Sequence, residues 1–217
     1  MPPVENPSRE KILARIRTAL REPAPRHESA ESRPPFTPVT DPLDRFQREC
    51  VINVTECVLV PDPRAAADSV QNLLASLPEG EIFIQDSPDL RQLASAWNGD
   101  RPIRWSSEGA PAETSQATVS ACEALVAQTG SVLVSASCGG RGASIVAPVH
   151  IVIANISQLV PDIDAALRRV QERGIVAQNS FACLITGSSR TADIEKILVM
   201  GAHGPRRLIV VLSMSAG

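Results

Sequence analysis

The chain has 217 residues, enough for one sizeable domain or a domain with a tail. Hydrophobic residues make up 43%, charged residues 21% and aromatics 3%, with no Tyr and a formal net charge of -3. This balance is that of a globular protein, and it excludes a basic nucleic-acid footprint or a base-stacking surface.

From the N-terminus, Ser8 to Arg21 reads as a short amphipathic helix. Ile12, Leu13, Ile16 and Leu20 fall on one face, and Ser8 is a candidate N-cap. Glu22 to Pro42 carries prolines and scattered charge, too few apolar groups to pack. It is expected to be a mobile linker and the first site of limited proteolysis. Residues 1–42 are thus a helix plus a Pro-rich linker, and residues 43–217 a single α/β domain.

The body opens with a helix over Leu43 to Val51. "CVLV" is a strand, and "PDPRAAADSVQNLLASLPEG" a helix with proline at its start. "EIFIQD" is the next strand. "SPDLRQLASAW" is a helix capped by Ser87, and "PIRW" is a short strand. The alternation predicts a parallel sheet covered by helices. Further on, "EALVAQTGSVLVSA" has the form of a hairpin about a Thr-Gly turn. "ASIVAPVHIVIANI" is a long β-rich run, and its proline should bend it or mark an edge. "DIDAALRRVQERG" is a helix ending at Gly174. "FACLITG" and "RRLIVVL" read as strands buried on both faces. The fold class expected is a mixed, mainly parallel sheet flanked by helices.

No apolar run approaches a membrane span, and the first residues lack the apolar centre of a signal peptide, so the expected location is the cytoplasm. The five cysteines, Cys50, Cys57, Cys122, Cys138 and Cys183, form no C-x-x-C pair. No cluster or metal of the chain's own is expected. Cys138 beside Arg141 in "CGGRG" suggests a thiol of lowered pKa, without an identifiable base.

The richest stretch is "LITGSSRTADIEKILVMGAHGPRRLIVVL", Leu184 to Leu212. Gly187, Ser188, Ser189, Arg190 and Thr191 follow a strand and precede the helical-looking "ADIEKIL". Backbone N–H groups at a helix start, two hydroxyls and a forked guanidinium suit a phosphate or carboxylate. A capped structural turn uses the same residue types. Asp193 and Glu195 would repel an anion, and the Walker pattern is absent. His150 and His203 are candidate acid–base groups near this loop.

"ALVAQTGSVLV", "APVHIVI", "LVPDIDAAL" and the long C-terminal string occur in the order and spacing of the LUD-domain family, which the chain resembles. The resemblance is strong from about Leu125 to Leu212, and it is nearest the lactate utilisation protein C (LutC/YkgG) branch. It implies a part in bacterial oxidation of L-lactate to pyruvate beside iron–sulfur partner subunits. It also implies a core resembling sugar-isomerase, CoA-transferase and formyltetrahydrofolate cyclo-ligase domains, with a small anionic ligand above the sheet. Gln128 stands where the family usually has an acid, and Ser188 where it usually has proline. A free-standing CoA-transferase-like or ligase-like enzyme and a non-catalytic assembly module remain alternatives.

Overall fold

A computed structural model describes residues 7–21, 37–98, 100–192, 198–200 and 204–215. Contacts divide the chain into two units, Met1–Pro38 and Val39–Gly217. The helices are α1 (Pro7–Ala19), α2 (Pro42–Ile52), α3 (Pro63–Ala75), α4 (Pro88–Ser95), α5 (Ile163–Glu172) and α6 (Ile175–Gln178). The strands are β1 (Thr55–Val60), β2 (Ile82–Ile84), β3 (Ile103–Trp105), β4 (Ala117–Ser120), β5 (Ala124–Val126) and β6 (Ser131–Ser135). They continue with β7 (Val149–Asn155), β8 (Leu159–Val160), β9 (Ala182–Thr186), β10 (Arg190–Ala192), β11 (Leu198–Met200) and β12 (Arg207–Ser213).

In the first unit α1 begins at Pro7, so Ser8 lies within its first turn rather than at its cap. Ile12, Ile16 and Leu20 are exposed. Most of the expected linker, residues 22–36, lies outside the described residues.

Helix starts in the second unit repeat one chemical device. Asp41, Asp62 and Ser87 each precede a proline and turn a side-chain oxygen onto an N–H three residues on, at 3.1, 2.9 and 3.4 Å. Proline sits there without loss, because the first helical N–H has no intrahelical partner. Asp162 caps α5 through the Ala165 N–H at 2.7 Å, the shortest of the four. Asp162→Ala should therefore lower stability by about 1 kcal/mol in urea denaturation, and Ser87→Ala by less.

Six strands form an all-parallel sheet in the order β1-β12-β7-β4-β2-β3. On β12, Ile209 and Val211 face α3 and α4. Leu208, Val210 and Leu212 face α2 and a second, four-stranded sheet ordered β8-β5-β6-β9. The outer face of that second sheet is closed by Ala166 and Val170 of α5. The α/β class read from the sequence is observed, with the Thr-Gly hairpin (β5–β6) pulled out of the main sheet into its own layer.

Several local expectations change. "QATVSA" contains a central strand, β4, that its polar residues concealed. Thr118 and Ser120 are buried there because their hydroxyls bond Ala143 O and His150 Nε2. "ASIVAP" is not strand. Arg141–Ser144 is a 3-10 turn, and β7 starts only after Pro148, between β12 and β4 rather than at an edge. Pro148 costs the ladder no donor, because it lies one residue before β7, and its carbonyl accepts from the Arg206 N–H at 2.8 Å. β9 is not buried on both faces. It is the edge strand of the second sheet, antiparallel to β6, with Ala182 and Cys183 exposed. Finally, the helix expected after Thr191 is replaced at both ends by a β-ribbon: Arg190–Ala192 pairs antiparallel with Leu198–Met200. Thr191 opposite Val199, two β-branched residues, fits strand better than helix. Residues 193–197 are outside the described set.

Candidate functional site

The turn after β9 is held by the protein itself. Gly187 adopts φ +77°. The Ser188 hydroxyl donates to Val54 O at 2.8 Å, and the Ser189 N–H donates to Pro205 O at 2.8 Å. Arg190 is exposed. The side chain of Thr191 and the whole of His203 lie outside what is described. These contacts put the turn against Val54, just before β1, and Pro205, just before β12. That is the amino edge of the parallel sheet. Gly187 was expected after a strand and beside a helix start; that strand, β9, lies in the antiparallel layer, and Arg190–Ala192 is strand rather than the start of a helix.

His150 is near the amino end of β7, at the same edge of the sheet as that turn, but within the core. It sits on β7 between Leu208 and Thr118, only 1% exposed. Its Nε2 is 2.9 Å from Ser120 Oγ, while Nδ1 is buried without a hydrogen-bond partner. Burial alone drives its pKa down to about 4, since a buried imidazolium loses hydration without gaining a counter-charge. His150 is a neutral core histidine. Cys138 likewise differs from its expected character. It is buried, its pKa is raised to about 11 chiefly by desolvation, and Arg141 stacks over Phe181 at 5.2 Å instead of serving the thiol.

The carboxyl edge holds a different site. A cleft of about 950 Å³ opens there. Its floor includes Asn155, the end of β7, and Ser213, the end of β12. One wall is the start of α3 and the face of α4, with Arg64, Leu90 and Leu93. The opposite wall is the last turn of α5, with Arg169 and Arg173. α3 and α4 cover one face of the sheet, while the chain after β7 departs to the other. Such a divide is where open α/β sheets form a crevice.

Charge in the cleft is one-sided. Three arginines line it against one acid, Asp89, in a chain of net charge -3. Asp86, two residues past β2, is already taken: Arg91 grips it with bonds of 2.5 and 2.9 Å, which hold its pKa down to about 2. Arg169 donates from Nη1 to Ser157 O at 2.8 Å, but its Nε is buried without a partner. Desolvation, then repulsion from Arg173, pushes its pKa down. No carboxylate among the described residues lies within ion-pair distance of Arg64, Arg169 or Arg173.

Comparison with known proteins fits this architecture. Residues 110–213 match the family described as LUD domain. Through this segment the chain is similar to the LUD-domain family. It is 28% identical over 193 residues to lactate utilization protein C of Bacillus subtilis (strain 168), covering 77% of this chain and 76% of that protein. It is 25% identical over 175 residues to uncharacterized protein YkgG of Escherichia coli (strain K12), 74% of each. The fold is similar to the crystal structure of a DUF162 family protein from Deinococcus radiodurans, with TM-score 0.60 and 14% identity. That likeness covers 79% of this chain and 96% of the other.

The LUD segment runs from just before β4 to the end of β12. It supplies the cleft floor and the Arg169–Arg173 wall; Arg64, α3 and α4 come from the preceding half. Sequence reasoning passed over these residues, because arginines in an amphipathic helix ordinarily mark its solvated face. The available signal was the i, i+4 spacing of Arg169 and Arg173, which puts two like charges on one stripe.

Proposed function

We propose that this protein is a component of a bacterial lactate utilisation system, one that converts L-lactate to pyruvate with iron–sulfur partner subunits. The supporting observation is the similarity to lactate utilization protein C across roughly three quarters of both chains. The chain's five cysteines are scattered over α2, β1, the two sheets and their connections, and all are free thiols. In this reading partner subunits carry the electrons, and this chain works in the cytoplasm without a cofactor of its own. Among the described residues no helix is long and apolar enough to cross a membrane.

The test is co-purification of this chain with the cysteine-rich products of neighbouring genes, followed by lactate-dependent reduction of an electron acceptor with and without it. Loss of turnover on omission, restored by adding the chain back, is the expected outcome. Full turnover in its absence would remove it from the system. A second reading, an independent enzyme acting on a small carboxylate or nucleotide, draws its support from the arginine-lined cleft, which could serve catalysis without any partner.

A further inference from the structure

We propose that the cleft at the carboxyl edge binds an organic phosphate of about nucleotide size, clamped by Arg169 and Arg173. This goes beyond the lactate-system reading and does not depend on it. Three observations select the ligand class. The first is charge number. Three arginines against Asp89 leave an excess of two positive charges on the lining, so a monocarboxylate would leave part of the site uncompensated. A phosphate or diphosphate carries enough charge and enough acceptor oxygens for two guanidinium forks.

The second is the state of Arg169. Its Nη1 is fixed on Ser157 O, which holds the side chain in place, yet its Nε is buried and unbonded. A buried donor of this kind costs free energy until an acceptor reaches it. Arg173, one turn on, adds like charge beside it, which lowers the Arg169 pKa after desolvation has done so first. Two crowded cations with no carboxylate within ion-pair distance, facing a cleft, are stabilised by an anion bound between them.

The third is size and wall chemistry. A cleft of about 950 Å³ lies at the upper end of ligand-site volumes, several-fold more than a three-carbon acid fills. Leu90, Leu93 and Ile153 give it an aliphatic side, so the ligand has an organic body as well as charge. Among the described residues no aromatic ring lines the cleft, so that body is held by aliphatic packing rather than stacking.

The experiment uses the full chain with ADP, inorganic pyrophosphate and L-lactate as probes, read by calorimetry and by melting temperature. ADP should bind saturably and more tightly than pyrophosphate, and L-lactate should not compete. Arg169→Ala and Arg173→Ala should each weaken ADP roughly tenfold or more, the loss expected for a charge-assisted hydrogen bond. Arg173 is exposed, so its variant stays folded even if loss of the Arg169–Ser157 bond disturbs α5. Failure of both phosphates to bind would overturn the proposal. So would ADP binding that survives both substitutions, or that is lost in Arg190→Ala instead, which would put the anion on the turn after β9. Pyrophosphate binding as tightly as ADP would remove the organic body from the assignment, and L-lactate displacing ADP would reassign the cleft to carboxylates. None of these results bears on lactate-dependent turnover with partners, so the two readings fail separately.

Discussion

Gly187→Ala is expected to destabilise the protein by about 3 kcal/mol or more, the largest such effect among the described glycines. Two penalties combine. The backbone at Gly187 has φ +77°, where an L-residue with a Cβ costs about 1–2 kcal/mol. The added Cβ would also lie 2.1 Å from Asn53 O, well inside contact distance. Asn53 cannot easily retreat. Its side-chain amide donates to Glu49 O and to Thr129 O, each at 3.0 Å, which bolts the end of α2 to the hairpin turn. The alternative is to move the Gly187 turn, and the Ser188–Val54 and Ser189–Pro205 bonds resist that. Gly174→Ala is the control. Gly174 has a similar φ, +66°, in the left-handed helical region, but an added Cβ there meets only the end of the Gln178 side chain, at 3.4 Å. Urea denaturation should show Gly174→Ala losing about 1 kcal/mol and Gly187→Ala several times that, with unchanged m-values. Equal losses would mean that the turn relaxes and that the close approach of Asn53 carries no weight.

The same residue illustrates what could be read before the structure. Gly187 was legible as a special position, because a glycine after an apolar run signals a turn. Its purpose was not, since the neighbour that demands glycine is Asn53, far away in sequence. The parallel layer was legible for a local reason. Asp-Pro and Ser-Pro starts announce α3 and α4, and each lies between apolar runs short enough to be strands. β4 was hidden because Thr118 and Ser120 satisfy their hydroxyls with partners 25 and 30 residues away. The ribbon after Arg190 was hidden because "ADIEKIL" has a helical period, and cross-strand pairing outweighed it at both ends of the segment. The cleft was least legible of all. Its residues come from α3, α4, β7, α5 and β12, and only strand order brings them to one edge.

Acidification should remove about 3 kcal/mol of stability through His150 alone, between pH 6.5 and 4. In the folded protein the imidazole is buried and its pKa is depressed from 6.5 to about 4; unfolding returns it to the ordinary value. Between these two values the unfolded chain binds a proton that the folded chain refuses. Stability therefore rises with pH across that window, and the contribution is complete above about pH 6.5. It is lost progressively as pH falls and is fully lost below the folded value. The groups around the ring offer no rescue. Ser120 on β4 meets Nε2, Thr118 on β4 is bonded to Ala143 O, and Leu208 on β12 is apolar, so no carboxylate on these neighbouring strands is placed to stabilise an imidazolium. The measurement is the difference in unfolding free energy between wild type and His150→Gln at pH 7, 6, 5 and 4, because carboxylates common to both cancel. Glutamine retains a polar group for Ser120, so the variant should be moderately less stable at pH 7, and the gap should close or reverse toward pH 4. A difference that stays constant from pH 7 to 4 would show that the ring does not change its protonation on unfolding. An imidazole that titrates normally near pH 6.5 in the folded protein would show that it is not sealed between the two sheets.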